Sequence, residues 1–225
     1  MTYQEYIKYH LQGDAGVEER TLAKIANSIS LDDWQKFCLI YFYCVTYNIP
    51  SAIRLLKNNN LSEDNLQFRT DRRWIKMNHL LPKMVNELKQ AKYDNILSCK
   101  TAQEALDKCL KWFYFARYSA FLFLEAYWNM FAPSWCDDVI FRWEPDENYT
   151  IGAKIITRSS DKQILNSFLH NVKCDTGDNS FSIETSLCAV AKIEKGTRWN
   201  GYYTQRMIEE AQKSEFENLI INNIG

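Results

Sequence analysis

Glycine and proline are scarce in this sequence of 225 residues, which contains only seven glycines and four prolines. Because few such residues interrupt long segments with apolar residues at helical spacing, the sequence predicts a mainly α-helical protein. One or two short strands are expected only near 139–157, where β-branched and aromatic residues accompany Pro145 and Gly152. An extended all-β or doubly wound architecture is therefore not expected.

A net charge of either sign is also missing, since 27 Lys and Arg balance 28 Asp and Glu. Any nucleic-acid partner must therefore be held by a local basic surface. Residues 54–111 contain twelve Lys or Arg and seven Asp or Glu, a local net charge of 12 − 7 = +5. The 46% hydrophobic content is enough for the core of one helical domain over 1–225, with sub-lobes 1–100 and 101–225 as the alternative.

Several familiar motifs are absent, namely GxxxxGK[ST], GxGxxG, GxSxG and HExxH. ATP-driven, dinucleotide-dependent and serine-hydrolase chemistry are therefore disfavoured. The histidines at 10, 79 and 170 are too scattered to suggest a zinc site, so no metal site and no cofactor are expected, although the chemistry considered below is compatible with Mg²⁺. Seven cysteines without a CxxC pair, and an N-terminus unlike a signal peptide, predict reduced thiols in a cytoplasm.

The aromatic-rich stretch 111–142 is interpreted as the central helix followed by a polar turn, and the capping-box pattern that begins at Thr101 is expected to open it. Two charges, Arg117 and Glu125, interrupt its apolar face and argue against a membrane span. Residues eight positions apart lie about 80° apart around a helix and about 12 Å along it. The two charges could therefore line one wall of a polar cavity, or they could pair with neighbouring helices.

A second cluster lies in the segment RTDRRWIK, where Arg69, Arg72, Arg73 and Lys76 are within helical reach of one another. Arginine side chains offer forked donors that grip phosphate oxygens, so a phosphate or pyrophosphate site is one interpretation. The alternative is a solvated helix face.

A third cluster spans residues 195–206, where glycines at 196 and 201 would let backbone amides approach a phosphate. Its cations and its aromatic residues, which could stack on unpaired bases, are Lys195, Arg198, Trp199, Tyr202, Tyr203 and Arg206. This alternation favours nucleic-acid binding. The alternative is a helical hairpin in which Trp199 and Tyr202 simply pack.

A fourth cluster lies in residues 135–143, where Asp137 and Asp138 precede Arg142. Paired carboxylates near a cation can supply a general base or hold a metal, and the flanking tryptophans can sandwich a base. A plain loop with surface acids would show the same pattern.

Five segments, in order, resemble those of the phage alpha-glutamyl/putrescinyl thymine pyrophosphorylases, also called amino acid:DNA transferases. They are YNIPSAIRLL, RTDRRW, FARYSAFLFLEAYW, PSWCDD and TRWNGYYTQRMIEEA, and the resemblance extends from Trp34 to Ala211. It implies a compact helical fold similar to that of DNA glycosylases. The implied partners are DNA and an amino acid or polyamine, and a phage-encoded protein of this kind would act in the host cytoplasm.

The implied reaction joins an amine to pyrophosphorylated 5-hydroxymethyluracil in viral DNA and releases pyrophosphate. Such a reaction needs arginines for the pyrophosphate, a carboxylate base for the amine and aromatic faces for an extruded base. The candidates are Arg69, Arg72, Arg73, Arg117 and Arg142 for pyrophosphate or substrate, and Glu125, Asp137 and Asp138 for catalysis. The alternatives are a glycosylase-like protein in which Asp137 or Asp138 activates water, and a phage or host interaction protein without chemistry.

Overall fold

The computed structural model describes residues 1–57, Leu66 and residues 77–225, and it confirms a mainly helical protein. The helices of the described residues are α1 (Tyr3–Gln12), α2 (Val17–Ser28), α3 (Asp33–Thr46), α4 (Ile49–Lys57), α5 (Met77–Asn86), α6 (Gln90–Leu97), α7 (Ala102–Cys109), α8 (Arg117–Phe131), α9 (Asn148–Thr157), α10 (Lys162–Thr176), α11 (Ser180–Glu194), α12 (Tyr202–Ala211) and α13 (Glu217–Ile221). None of these described helices is long and apolar enough to cross a membrane.

The strands expected near 139–157 are not formed. Residues 148–157 are helix α9, and the extended residues before it bury Phe141 and Trp143 without pairing to another strand of the described chain. Gly152 does not mark a strand end, since a Cβ atom there would lie 2.1 Å from the carbonyl oxygen of Leu187 on α11. The glycine therefore allows two helices to approach closely, a role that the local sequence does not reveal.

Internal contacts divide the chain into two compact units. Unit 1 consists of residues 1–17 and 137–205, and unit 2 consists of residues 18–136 and 206–225. Each unit is assembled from segments that are distant in sequence, so the boundaries differ from a division between residues 100 and 101.

Unit 1 contains α1, α9, α10 and α11, which pack on one another. Tyr6 of α1 is fully buried and its ring lies 5.5 Å from that of Phe168 on α10. Trp143 packs on Phe141, and its indole nitrogen donates a hydrogen bond of 2.6 Å to Asn166. Aromatic packing and satisfied polar tips therefore hold the extended residues against the helices.

Unit 2 is built around α3, which packs against α4, α5, α6 and α8. Residues 37–46 of α3 are all buried, as expected for a helix that is apolar nearly all round. The ring of Phe37 lies 5.3 Å from that of Phe123 on α8, and Trp112 lies 5.0 Å from Phe123. The aromatic stretch thus supplies a core helix of unit 2.

One expected helix start is wrong in detail, whereas α3 has a regular one. Asp32 caps α3, because its carboxylate accepts from the amide of Gln35 while the Gln35 side chain accepts from the amide of Asp32. Thr101 caps the separate helix α7 rather than the central helix. The chain turns at Tyr114, which has a φ of 61°, before α8 begins at Arg117.

Candidate functional site

The two charges of the central helix lie on α8 in unit 2. Glu125 is only 1% exposed, and Arg117, the first residue of the helix, is partly buried. The guanidinium carbon of Arg117 lies 4.1 Å from the centre of the Phe121 ring, one turn along. Residues 117, 121 and 125 follow at spacings of four, so they share one face of the helix. A cation, an aromatic ring and a buried carboxyl group are thus aligned on α8.

Unit 2 also contains a pair of buried acids that the sequence interpretation missed. Glu18 and Glu19, in the first turn of α2, are 2% and 3% exposed. The hydroxyl of Tyr43 lies 2.9 Å from a carboxyl oxygen of Glu19 and 3.2 Å from one of Glu18. Acids in the first turn of a helix usually face solvent and complement its dipole, so the sequence carried no signal of this burial.

Asp137, a candidate general base, is engaged in structural contacts of unit 1. One carboxyl oxygen accepts a 2.8 Å hydrogen bond from the amide of Ser180, at the start of α11, and lies 3.0 Å from the ammonium nitrogen of Lys173. Its other carboxyl oxygen and the Ser180 hydroxyl are buried without a hydrogen-bond partner among the described residues. This arrangement stabilises a helix N-terminus and holds the carboxylate in place.

The other candidates near this loop lie on the surface of unit 1. Asp138 and Arg142 are exposed, and the carbonyl oxygen of Arg142 accepts from the Lys162 side chain at 3.2 Å. Arg69, Arg72 and Arg73 lie outside the described residues.

The third cluster presents an exposed loop in unit 1. Trp199 is 54% exposed, Lys195 is exposed, and the glycines at 196 and 201 have φ values of 65° and 96° with open space where a side chain would stand. We call residues 195–203 the basic-aromatic loop. Its left-handed turns depend on glycine, and its largest aromatic side chain faces solvent.

Arg198 is ordered by neighbouring rings. Its guanidinium donates to the hydroxyl of Tyr203 and lies 4.8 Å from the centre of the Tyr202 ring and 5.1 Å from that of Tyr203. Tyr203 is 7% exposed, so the aromatic members of the loop divide into an exposed Trp199 and a buried Tyr203. The guanidinium of Arg198 and the exposed indole of Trp199 both contact the Tyr202 ring, the indole edge-on.

The amides at the start of α12 are already occupied. The buried carboxylate of Asp14 accepts from the amide of Tyr203 at 2.5 Å, and from the amide and hydroxyl of Thr204 at 2.7 and 2.5 Å. A protein carboxylate therefore accepts from backbone amides that a DNA phosphate would otherwise contact. Arg206, the last candidate of this cluster, belongs to unit 2, where it lies 3.7 Å from Glu210.

A buried polar network of unit 1 was also missed. The Ser186 hydroxyl lies 2.7 Å from the Tyr6 hydroxyl and 2.8 Å from Nδ1 of His10, whose Nε2 lies 2.9 Å from Asp178. These are the residue types of a nucleophilic triad. The Ser186 hydroxyl donates to the Ile183 carbonyl, so its proton is not directed to His10, and the network joins α1 to α11 rather than presenting a nucleophile.

Comparison of the chain with protein-family models, curated proteins and solved structures gave no match.

Proposed function

We propose that this protein binds DNA and modifies it as an amino acid:DNA transferase. The single observation that carries the DNA-binding part is the basic-aromatic loop, in which Trp199 and Lys195 are exposed and Arg198 packs on the Tyr202 ring. Exposed indole rings stack on bases with little sequence preference, while neighbouring cations contact the backbone. The chemical part rests on the sequence resemblance and on the charged face of α8.

The proposed reaction forms a bond between the substrate amine and the 5-methylene carbon of the activated base. The bond from that carbon to the pyrophosphate oxygen breaks, and pyrophosphate leaves. Glu125 takes the proton that the amine loses, because a carboxylate held in an apolar core is suited to act as a general base. Arg117 contacts the pyrophosphate. Arg69, Arg72, Arg73 and Arg142 remain candidates for the same role, and Asp137 and Asp138 remain alternative bases.

The DNA-binding proposal is tested by separating the two residue types of the loop. Arg198→Ala is expected to weaken binding on all sequences and to lower the salt dependence by roughly one unit of slope on a duplex. Trp199→Ala is expected to cost roughly 1 to 3 kcal/mol of binding free energy on single strands, with little salt dependence. Fluorescence anisotropy at several salt concentrations measures both effects.

Lys8→Ala supplies a matched control, because Lys8 is an exposed cation of unit 1 outside the loop. Its binding curve should follow that of the wild type. Unchanged binding in both loop variants, with helical content intact by circular dichroism, would place DNA binding elsewhere or nowhere.

The transferase proposal is tested with DNA that bears the pyrophosphorylated base. The protein is incubated with this DNA and each amino acid or putrescine, and the nucleosides are analysed by mass spectrometry. A nucleoside heavier by the added amine, with release of pyrophosphate, is the expected product. An unchanged base with every amine would overturn the transferase proposal while leaving the binding result intact.

A second candidate function is an interaction protein without catalysis. The contacts of Asp137 with Lys173 and the Ser180 amide favour it, since they give one candidate base a structural role. Release of a free base from damaged duplexes would instead favour the glycosylase-like alternative.

A further inference from the structure

An exposed histidine and an exposed cysteine lie side by side on α10. His170 and Cys174 are one helical turn apart, and the Nε2 atom of the imidazole lies 3.6 Å from the Sγ atom of the free thiol. The sequence interpretation treated the histidines as scattered and missed this pair. Its H-x-x-x-C spacing was the available signal, because positions four apart on a helix face the same way.

The distance between the two atoms matches that between two ligands of a tetrahedral zinc ion. With a Zn–S distance of roughly 2.3 Å and a Zn–N distance of roughly 2.0 Å, a tetrahedral angle separates the ligand atoms by roughly 3.5 Å. An ion could therefore bind between the imidazole and the thiolate without moving the helix. A hydrogen bond between the thiol and the imidazole would give the same distance. The charges around the pair are therefore needed to distinguish a metal site from a hydrogen bond.

The surroundings of the pair favour a cation. Cys174 lies in the last turn of α10, where the carbonyl end of the helix attracts positive charge. Asp175 follows Cys174 in the sequence and adds a carboxylate. The cation nearest in sequence is Lys173, whose ammonium nitrogen lies 3.0 Å from a carboxyl oxygen of Asp137. The carbonyl end of the helix and the neighbouring carboxylate both carry negative charge, so they favour a bound divalent cation beside the two side chains.

We propose that Nε2 of His170 and Sγ of Cys174 form a binding site for a zinc-type divalent cation. On binding, the thiol proton passes to solvent and Nδ1 of His170 keeps its hydrogen. No group of three or more potential ligands occurs among the described residues, so water fills the remaining coordination positions. The site is therefore open to exchange and weaker than a site with four protein ligands.

The test is a titration of the reduced full-length protein with Zn²⁺ against a colorimetric zinc indicator. Cys174→Ser and His170→Ala should each weaken binding by at least about tenfold. Cys136→Ser is the matched control, since Cys136 is likewise an exposed cysteine, and it should bind as the wild type does. Equal binding by the wild type and Cys174→Ser, or no binding by the wild type, would overturn the proposal.

A second readout does not depend on the variants. Zinc should slow alkylation of Cys174 by iodoacetamide, followed by peptide mass spectrometry, and should leave alkylation of Cys136 unchanged. Replacement of zinc by Co²⁺ should add the near-ultraviolet absorption of a cobalt–thiolate bond, and this band should be absent in Cys174→Ser. Equal protection of both cysteines, or the same band in Cys174→Ser, would assign the metal to another site.

Discussion

Two acids of unit 1, Asp14 and Asp137, lie in different surroundings from Glu125 of unit 2; Asp14 and Glu125 are buried and Asp137 is partly buried. In unit 1, Asp14 and Asp137 each lie against the first turn of a helix distant in sequence and accept hydrogen bonds from its amides. In unit 2, Glu125 lies in the middle of α8, where every nearby amide is used by the helix itself. Helix-end amides can compensate a buried carboxylate, and a position in mid-helix cannot.

This difference indicates which of the three acids is a candidate for catalysis. An acid whose oxygens accept from fixed backbone amides is held in one position, which suits a structural role. Glu125 instead lies in mid-helix, where the backbone amides of α8 are used by the helix itself. We therefore expect catalysis to depend on Glu125 and stability to depend on Asp14 and Asp137.

The largest expected effect is on activity in Glu125→Gln. If Glu125 is the general base, the transferase rate should fall by about 10² to 10⁴-fold, because the amide cannot take a proton. Single-turnover product formation followed by mass spectrometry measures this rate. Asp137→Asn is the matched control, and an equal loss in both variants would remove the functional distinction between the two units.

The next effect is on stability in Asp14→Ala. This change removes three hydrogen bonds to a buried carboxylate, so the free energy of unfolding should fall by about 3 kcal/mol. Urea unfolding followed by circular dichroism measures it. Asp14→Asn keeps one acceptor oxygen and should lose less. A stability equal to that of the wild type would show that the amides of Tyr203 and Thr204 find other partners.

A smaller effect is expected in Asp137→Ala, by the same measurement. Asp137 accepts one amide hydrogen bond and pairs with Lys173 in a partly exposed position, so the expected loss is about 2 kcal/mol. Lys173→Met removes only the ion pair and should cost less than Asp137→Ala. If Lys173→Met lowers the free energy of unfolding more than Asp137→Ala does, the ion pair rather than the hydrogen bond from the helix amide dominates at this site.

The smallest effect is expected for an exposed acid, which sets the baseline for the comparison. Glu215 accepts from the guanidinium of Arg54, and this hydrogen bond lowers the pKa of Glu215 below its usual value. A lowered folded pKa gives stability that is present above the unfolded pKa and lost as pH falls through the folded one. Glu215→Gln should therefore cost under about 1 kcal/mol at about pH 7 and still less at about pH 3, by urea unfolding.

Much of the helical framework could be predicted from local sequence. The apolar run of α3, the caps of α7 and α10 and the proline in the first turn of α4 each have short-range signals. The break between α7 and α8 could not be predicted, since the aromatic run continues through Tyr114, whose left-handed conformation interrupts the helix. Around this break, Trp112 packs on Phe37 and Phe123, and Phe115 packs on Tyr41.

The candidate site could be predicted less well. The nucleic-acid interpretation of residues 195–206 stays a prediction, and the partners of Asp14 and His10 lie more than 160 residues away in the chain. Local patterns report which residues face the core and carry no information on which distant polar groups meet there. The His170–Cys174 pair is different, because residues four apart on a helix are neighbours and their spacing alone predicts the contact.

Local sequence patterns are enough to predict the helical class, the buried faces of α3 and α8 and the basic-aromatic character of residues 195–203. These follow from periodicity and composition, which act over a few residues. Three features depend on packing between distant segments. Asp14 and Asp137 accept hydrogen bonds from the amides of distant helices, and Gly152 leaves room for the carbonyl oxygen of Leu187. The Ser186 hydroxyl lies within hydrogen-bond distance of both Tyr6 and His10. The physical reason is that a buried polar group must find its partner in space, and chain folding, not sequence proximity, brings that partner near.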